Sequence, residues 1–275
     1  AAVAVYRLAL HFCEKSASFY AAVFFILWPM HVETVVWLSG LRDLTCGAAM
    51  LWALVAYLDG KVSAAAILSA VAALSKPSAV MLPALALVLR PSWRAAYLSP
   101  ALLSFLSWGL QSDEMYAPPN YTWFAKVWSA VDSLGFYILN PPSVDHWRMP
   151  GLLDNRSGFF LGIIILVAAW WSRGLRFYVL ALVPVLGFVP FAYQNQSNVA
   201  DRFTFVAAAG ISLLLASVWE KGNILAKILL LSVLFASFNS TAVHIPRWKS
   251  LEDLYIPEIW PETKGAYDLK DGRRP

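Results

Sequence analysis

Apolar residues in this chain do not alternate with polar ones. They run on for long stretches and stop at short polar punctuation. Such runs cover roughly 1–13, 17–38, 43–58, 62–75, 78–90, 94–110, 157–172, 177–192, 203–219 and 224–242. Near-continuous apolar segments approaching about 20 residues predict membrane-spanning α-helices. The predicted fold class is therefore all-α, a polytopic transmembrane helical bundle of about nine or ten spans. Lys76-Pro77 separates 62–75 from 78–90. Proline lacks a backbone donor and disfavours helix at the residue before it, so a hairpin is predicted there. Residues 122–139 are less apolar and carry Lys126 and Asp132, the pattern of an amphipathic or re-entrant helix at the membrane surface. The chain divides into a transmembrane core, 1–243, with a non-cytoplasmic loop at 111–156, and a polar, Pro-punctuated tail, 244–275.

Composition strengthens this picture. Charged residues make up 14% of the chain and hydrophobic ones 59%, whereas a soluble domain has close to a quarter charged residues. The 13 Trp and 11 Tyr suit amphipathic rings at the headgroup level of several helices. A net charge of +4 without a basic run gives nucleic-acid binding no support. Cys13 and Cys46 lie inside apolar segments and are expected to be buried free thiols. The first residue, Ala1, sits within an apolar helix pattern without a signal-peptide layout, so the chain is expected to be a piece of a longer protein.

Charge then orients the bundle. With 1–13 running toward the cytoplasm, the turns at Glu14-Lys15, Asp59-Gly60-Lys61, Arg90 to Arg94, Arg173 to Arg176 and Glu220-Lys221 share that side, and each carries Lys or Arg. The opposite face receives the longer loops and a mixed set of charges near membrane depth. Charges at such depth are costly and usually line a cavity or pathway.

Three clusters carry candidate chemistry. In Trp28-Pro29-Met30-His31-Val32-Glu33, Pro29 ends or kinks a helix and brings His31 and Glu33 to a membrane-face break, with Arg42-Asp43 following. A second helix starting near Val32 would put Glu33 and Trp37 on one face. The plain alternative is a helix-end acid with interfacial anchors. Lys76 ends an apolar run; it either snorkels to the headgroups or contacts a phosphate. Asp201-Arg202 opens a helix. The acid suits the positive end of the dipole, but the arginine does not unless it is paired or bound to an anion. There is no Gly-rich phosphate loop, HExxH, G-x-S-x-G or CxxC. His11, His31, His146 and His244 are scattered, which disfavours a structural zinc site. Sequons occur at Asn120, Asn155, Asn195 and Asn239.

Read in order, "PMHVETVVWLSGLRD", "ALSKPSAVMLP", "NYTWFAKVWSA", "LVPVLGFVP" and "ADRFTF" resemble membrane glycosyltransferases of the GT-C class. The resemblance is to the tetratricopeptide-repeat-bearing protein O-mannosyltransferase-like group and covers roughly 17–250. It implies inverting transfer of a hexose from a polyprenyl-phosphate donor to a protein or glycan hydroxyl on the non-cytoplasmic face. The periplasmic side of a bacterial inner membrane is favoured over the lumen of the endoplasmic reticulum. Carried onto this chain, the resemblance implies His31 and Glu33 as catalytic residues, with Glu33 orienting or assisting in the acceptor site. It implies Arg42, Lys76 and Arg202 at the donor phosphate, with Asp43 and Asp201 in support. No metal or other cofactor follows from the residues, and the divalent-metal requirement is open. Expected partners are membrane lipid, the lipid-linked sugar and other membrane subunits. The family's principal catalytic acid lies in a loop expected upstream of Ala1. Trp28 stands where relatives usually have His, and Phe203 and Phe205 where Tyr is common. The alternative reading is a non-catalytic GT-C-like subunit packed in a larger membrane complex.

Overall fold

A computed structural model of the chain describes residues 1–106, 122–139, 157–188 and 199–246. Among the described residues the fold is all-helical, without a strand. The helices are α1 (Ala2–Ala9), α2 (Lys15–Leu27), α3 (His31–Val36), α4 (Leu41–Leu58), α5 (Val62–Ser75), α6 (Leu82–Leu89), α7 (Trp123–Leu139), α8 (Ser157–Ala169), α9 (Arg173–Leu182), α10 (Ala207–Lys221) and α11 (Ile224–His244). Two of them, over Leu41–Leu58 and Ile224–Val243, are long and apolar enough to cross a membrane. α5 fills its run, 62–75, and several of the others are shorter than the runs that predict them, for local reasons. The run 17–38 splits at Trp28-Pro29 into α2 and α3, because Trp28 is extended ahead of the proline. The run 94–110 gives a 3₁₀ stretch, Trp93–Leu103, with Pro100 inside it. The run 177–192 begins earlier, at Arg173, and α9 passes into a 3₁₀ turn at Val183–Val185 around Pro184. Residues 122–139 do form one helix, α7.

The hairpin at Lys76 is present. Lys76 is extended (φ −157°, ψ 141°) between α5 and the 3₁₀ turn Pro77–Met81, the backbone that a following proline favours. α4 and α5 are antiparallel. The Lys76 ammonium pairs with Asp43 at one end, and Lys61 lies 3.6 Å from Asp59 at the other. α6 then returns to the Asp59 end, where the Arg90 guanidinium donates to the Leu58 carbonyl at 3.3 Å. The Asp59 carboxylate also takes Arg7 at 3.1 Å and His11 at 3.0 Å. Arg173 stacks over the Phe12 ring at 4.4 Å, and the Glu14 backbone N–H donates to Glu220 at 3.3 Å. So the starts of α2 and α9 and the ends of α1, α4, α6 and α10 meet in one polar layer.

Small residues let the bundle close. A Cβ on Gly174 would stand 2.5 Å from the Gly210 carbonyl oxygen, and one on Gly210 would stand 2.6 Å from that of Gly174. α9 and α10 therefore touch backbone to backbone, the close approach that glycine permits. The core they close upon includes Phe24, Met50, Leu54, Leu85, Phe177 and Tyr178, all nearly fully buried. Apolar side chains also face outward: Leu225, Leu229 and Phe235 on α11, and Phe160, Ile164 and Val167 on α8. Both cysteines are free; Cys46 is buried and Cys13 half-buried. Asn239 lies within α11. Asn120, Asn155 and Asn195, the charged residues of 111–121 and 145–148, and the tail beyond 246 lie outside the described residues.

Candidate functional site

At the end opposite Asp59, three separate stretches of chain converge. Asp43 sits in the first turn of α4, where an acid is favoured by the helix dipole. Lys76 is held at the α5 break, its backbone N–H donating to the Ala72 carbonyl at 3.0 Å. Arg202 belongs to a 3₁₀ turn, Asp201–Thr204. That turn is anchored from behind, since the buried Tyr137 hydroxyl of α7 accepts the Ala200 N–H at 3.1 Å. Gly47, one turn beyond Asp43, leaves room for this approach: a Cβ there would lie 2.4 Å from the Phe205 ring.

Together these elements enclose a cavity of about 30 Å³ lined by Asp43, Lys76, Arg202, Phe203, Ser78 and Cys46, with apolar neighbours. Each cation has a carboxylate partner. Lys76 pairs with Asp43, and Arg202 with Glu33. Glu33 is held at both oxygens, because its Oε2 also accepts the Arg202 backbone N–H at 2.8 Å. The Phe203 ring lies beside both cations, with Lys76 Nζ and Arg202 Cζ each 5.1 Å from its centroid. The Trp37 ring is 4.8 Å from Arg202 Cζ. These are cation–π distances, so aromatic faces as well as carboxylates hold the two positive charges.

Asp201 completes the cluster from behind the cavity. Its Oδ1 is buried without a hydrogen-bond partner. Burial, and then the charge of Glu33, push its carboxyl well above the usual carboxylate range, against the opposing pull of Arg202. The acid therefore favours its neutral form, and the remaining four charges balance in two ion pairs.

Five of the seven sequence-derived residues thus come together: Glu33, Asp43, Lys76, Asp201 and Arg202. Two do not. The His31 ring is buried against Phe25 and Phe205, with centroids 4.5 Å and 4.8 Å away, and it takes no part in the two ion pairs. Arg42 is exposed and also outside the lining, because the next residue along the helix, Asp43, takes the inward direction. The role expected of Glu33 shifts as well: with both oxygens committed to Arg202, it positions that guanidinium. Sequence reasoning missed Ser78 and Cys46 as lining groups and Phe203 as the ring beside both cations. Their signals were adjacency to Lys76-Pro77 for Ser78 and to Arg202 for Phe203. No group of three or more His, Cys, Asp or Glu side chains suited to a metal occurs among the described residues. No protein-family model, curated protein or solved structure matches the chain, so its functional reading rests on these residues.

Proposed function

We propose that the chain is the membrane-embedded core of a GT-C-class glycosyltransferase. It moves a hexose from a polyprenyl-phosphate donor to a protein or glycan hydroxyl on the non-cytoplasmic face of a bacterial inner membrane. The observation that carries this reading is the pair of cations, Lys76 and Arg202, lining one cavity beside the Phe203 ring. A phosphodiester that loses its sugar gains negative charge, and fixed cations at the departing group stabilise that charge as it develops. The cavity is small, about 30 Å³, and both cations line it. Depth fits too. α4 has 18 residues, about 27 Å at 1.5 Å per residue. With α4 spanning a bilayer, the cavity lies almost a hydrocarbon thickness from the basic layer, which supports a lipid phosphate as its ligand.

The test is a transfer assay on the full-length gene product with polyprenyl-phosphate mannose or glucose. Lys76→Ala and Arg202→Ala are each expected to lower turnover by 10²–10³-fold, about the value of one charge-stabilising donor. Wild-type turnover in both variants would sink the assignment.

The charge balance favours a second reading, a non-catalytic GT-C-like subunit. Both cations are already neutralised by carboxylates, as in a structural knot. Absence of transfer from any lipid-linked sugar, with the protein recovered in a stable membrane complex, supports that reading instead.

A further inference from the structure

Charge is sorted very unevenly between the two ends of the bundle. Around the cavity, Lys76 and Arg202 are matched by Asp43 and Glu33, with the exposed Arg42 beside them. At the other end, the acids among the described residues are Glu14, Asp59 and Glu220 alone. Asp59 is consumed by Arg7, His11 and Lys61. The exposed side chains of Lys15, Arg94, Arg176 and Lys221 meet no carboxylate within ion-pair distance among the described residues.

Helix direction adds to the imbalance. α2 and α9 start at this end; the α2 N-terminus is met by Glu14 and Glu220, whereas α9 opens on Arg173 with no acid in its first turn. Cations there oppose the helix dipole, and an outside anion relieves both. Trp93, Trp170 and Trp171 flank the same basic residues and are 73%, 80% and 76% exposed. Bare indoles beside unpaired Arg and Lys match a headgroup layer: the rings sit at the interface and the cations reach phosphates.

We infer that the Asp59 end is a binding surface for acidic phospholipids, with phosphates seated beside Arg173, Arg176 and Lys15. The occupant is a bilayer lipid carrying one net negative charge, of the phosphatidylglycerol kind. This holds whether or not the chain transfers sugar.

The full-length protein is reconstituted in nanodiscs of phosphatidylcholine, with or without phosphatidylglycerol. Retained lipid is weighed by native mass spectrometry, and the thermal transition is recorded. Retained lipid should be enriched in phosphatidylglycerol over the bulk mixture, and the transition should rise in the acidic discs. Both effects should fall with added salt and be lost in Arg173→Gln/Arg176→Gln. The salt series gives the same reading on wild-type protein should the double variant fail to fold. Retention in the bulk proportion, or insensitivity to salt, overturns the inference. So does an equal rise from inorganic phosphate in neutral detergent, which would assign the surface to soluble anions.

Discussion

Arg202 shows how strongly a single side chain depends on its neighbours in space. In sequence it is a cation at the wrong end of a helix; in the fold its guanidinium and backbone N–H are both answered by Glu33. Both side chains are mostly covered, 10% and 12% exposed. Removing one partner strands the other, so Glu33→Ala should destabilise the protein by about 3–5 kcal/mol. The double variant Glu33→Ala/Arg202→Ala should recover part of that loss, and denaturant titrations of the three variants in micelles give the coupling directly. Asp201 makes a separate prediction through pH. Below its unfolded value near 3.9 both states hold the proton. As pH rises the unfolded chain ionises first, while the buried carboxyl keeps its proton. Stability therefore falls as pH climbs toward the raised folded value. Asp201→Asn should flatten that decline and be more stable than wild type at neutral pH, as read from thermal unfolding across pH. Superimposable profiles would remove the buried acid from the account.

The helices themselves were visible in the apolar runs, but their ends were set by chemistry of shorter range. Proline at 29, 77, 100 and 184 cut or tightened the runs, and the breaks at 29 and 77 are where Glu33 and Lys76 lie. The α5–α6 hairpin was legible because Lys76-Pro77 permits little else. Which helices pack on which was not legible, since all present apolar faces. That choice falls to close backbone approaches such as Gly174–Gly210. Gly210→Ala forces α9 and α10 apart and is expected to cost about 1–3 kcal/mol. α9 leads into Val185, and the turn ahead of α10 carries Arg202, so the two elements form facing parts of one cavity lining. The same variant should therefore lower transfer, measured beside its thermal stability. An unchanged transition temperature and turnover would show that the contact is slack.

Across the whole molecule the two polar layers are separated by about the length of α4, near 27 Å. Substituted cysteines read this arrangement directly once Cys13 and Cys46 are replaced. Leu38→Cys near the cavity end, 79% exposed, should react with an impermeant maleimide on intact spheroplasts. Lys61→Cys, with its side chain 66% exposed, should react only after permeabilisation; the reverse pattern inverts the orientation. The sequence by itself determined the all-helical class, the positions of the breaks and the short list of charged residues, because apolar run length and proline act locally. It also separated basic turns from mixed-charge loops, since that bias is written in adjacent residues. Only the tertiary structure decided which charges meet. It brought Glu33 to Arg202 and Asp43 to Lys76, turned Arg42 outward, packed His31 against two phenylalanines and set Phe203 beside both cations. Those outcomes depend on helix rotation and on contacts between distant segments, which no local pattern encodes.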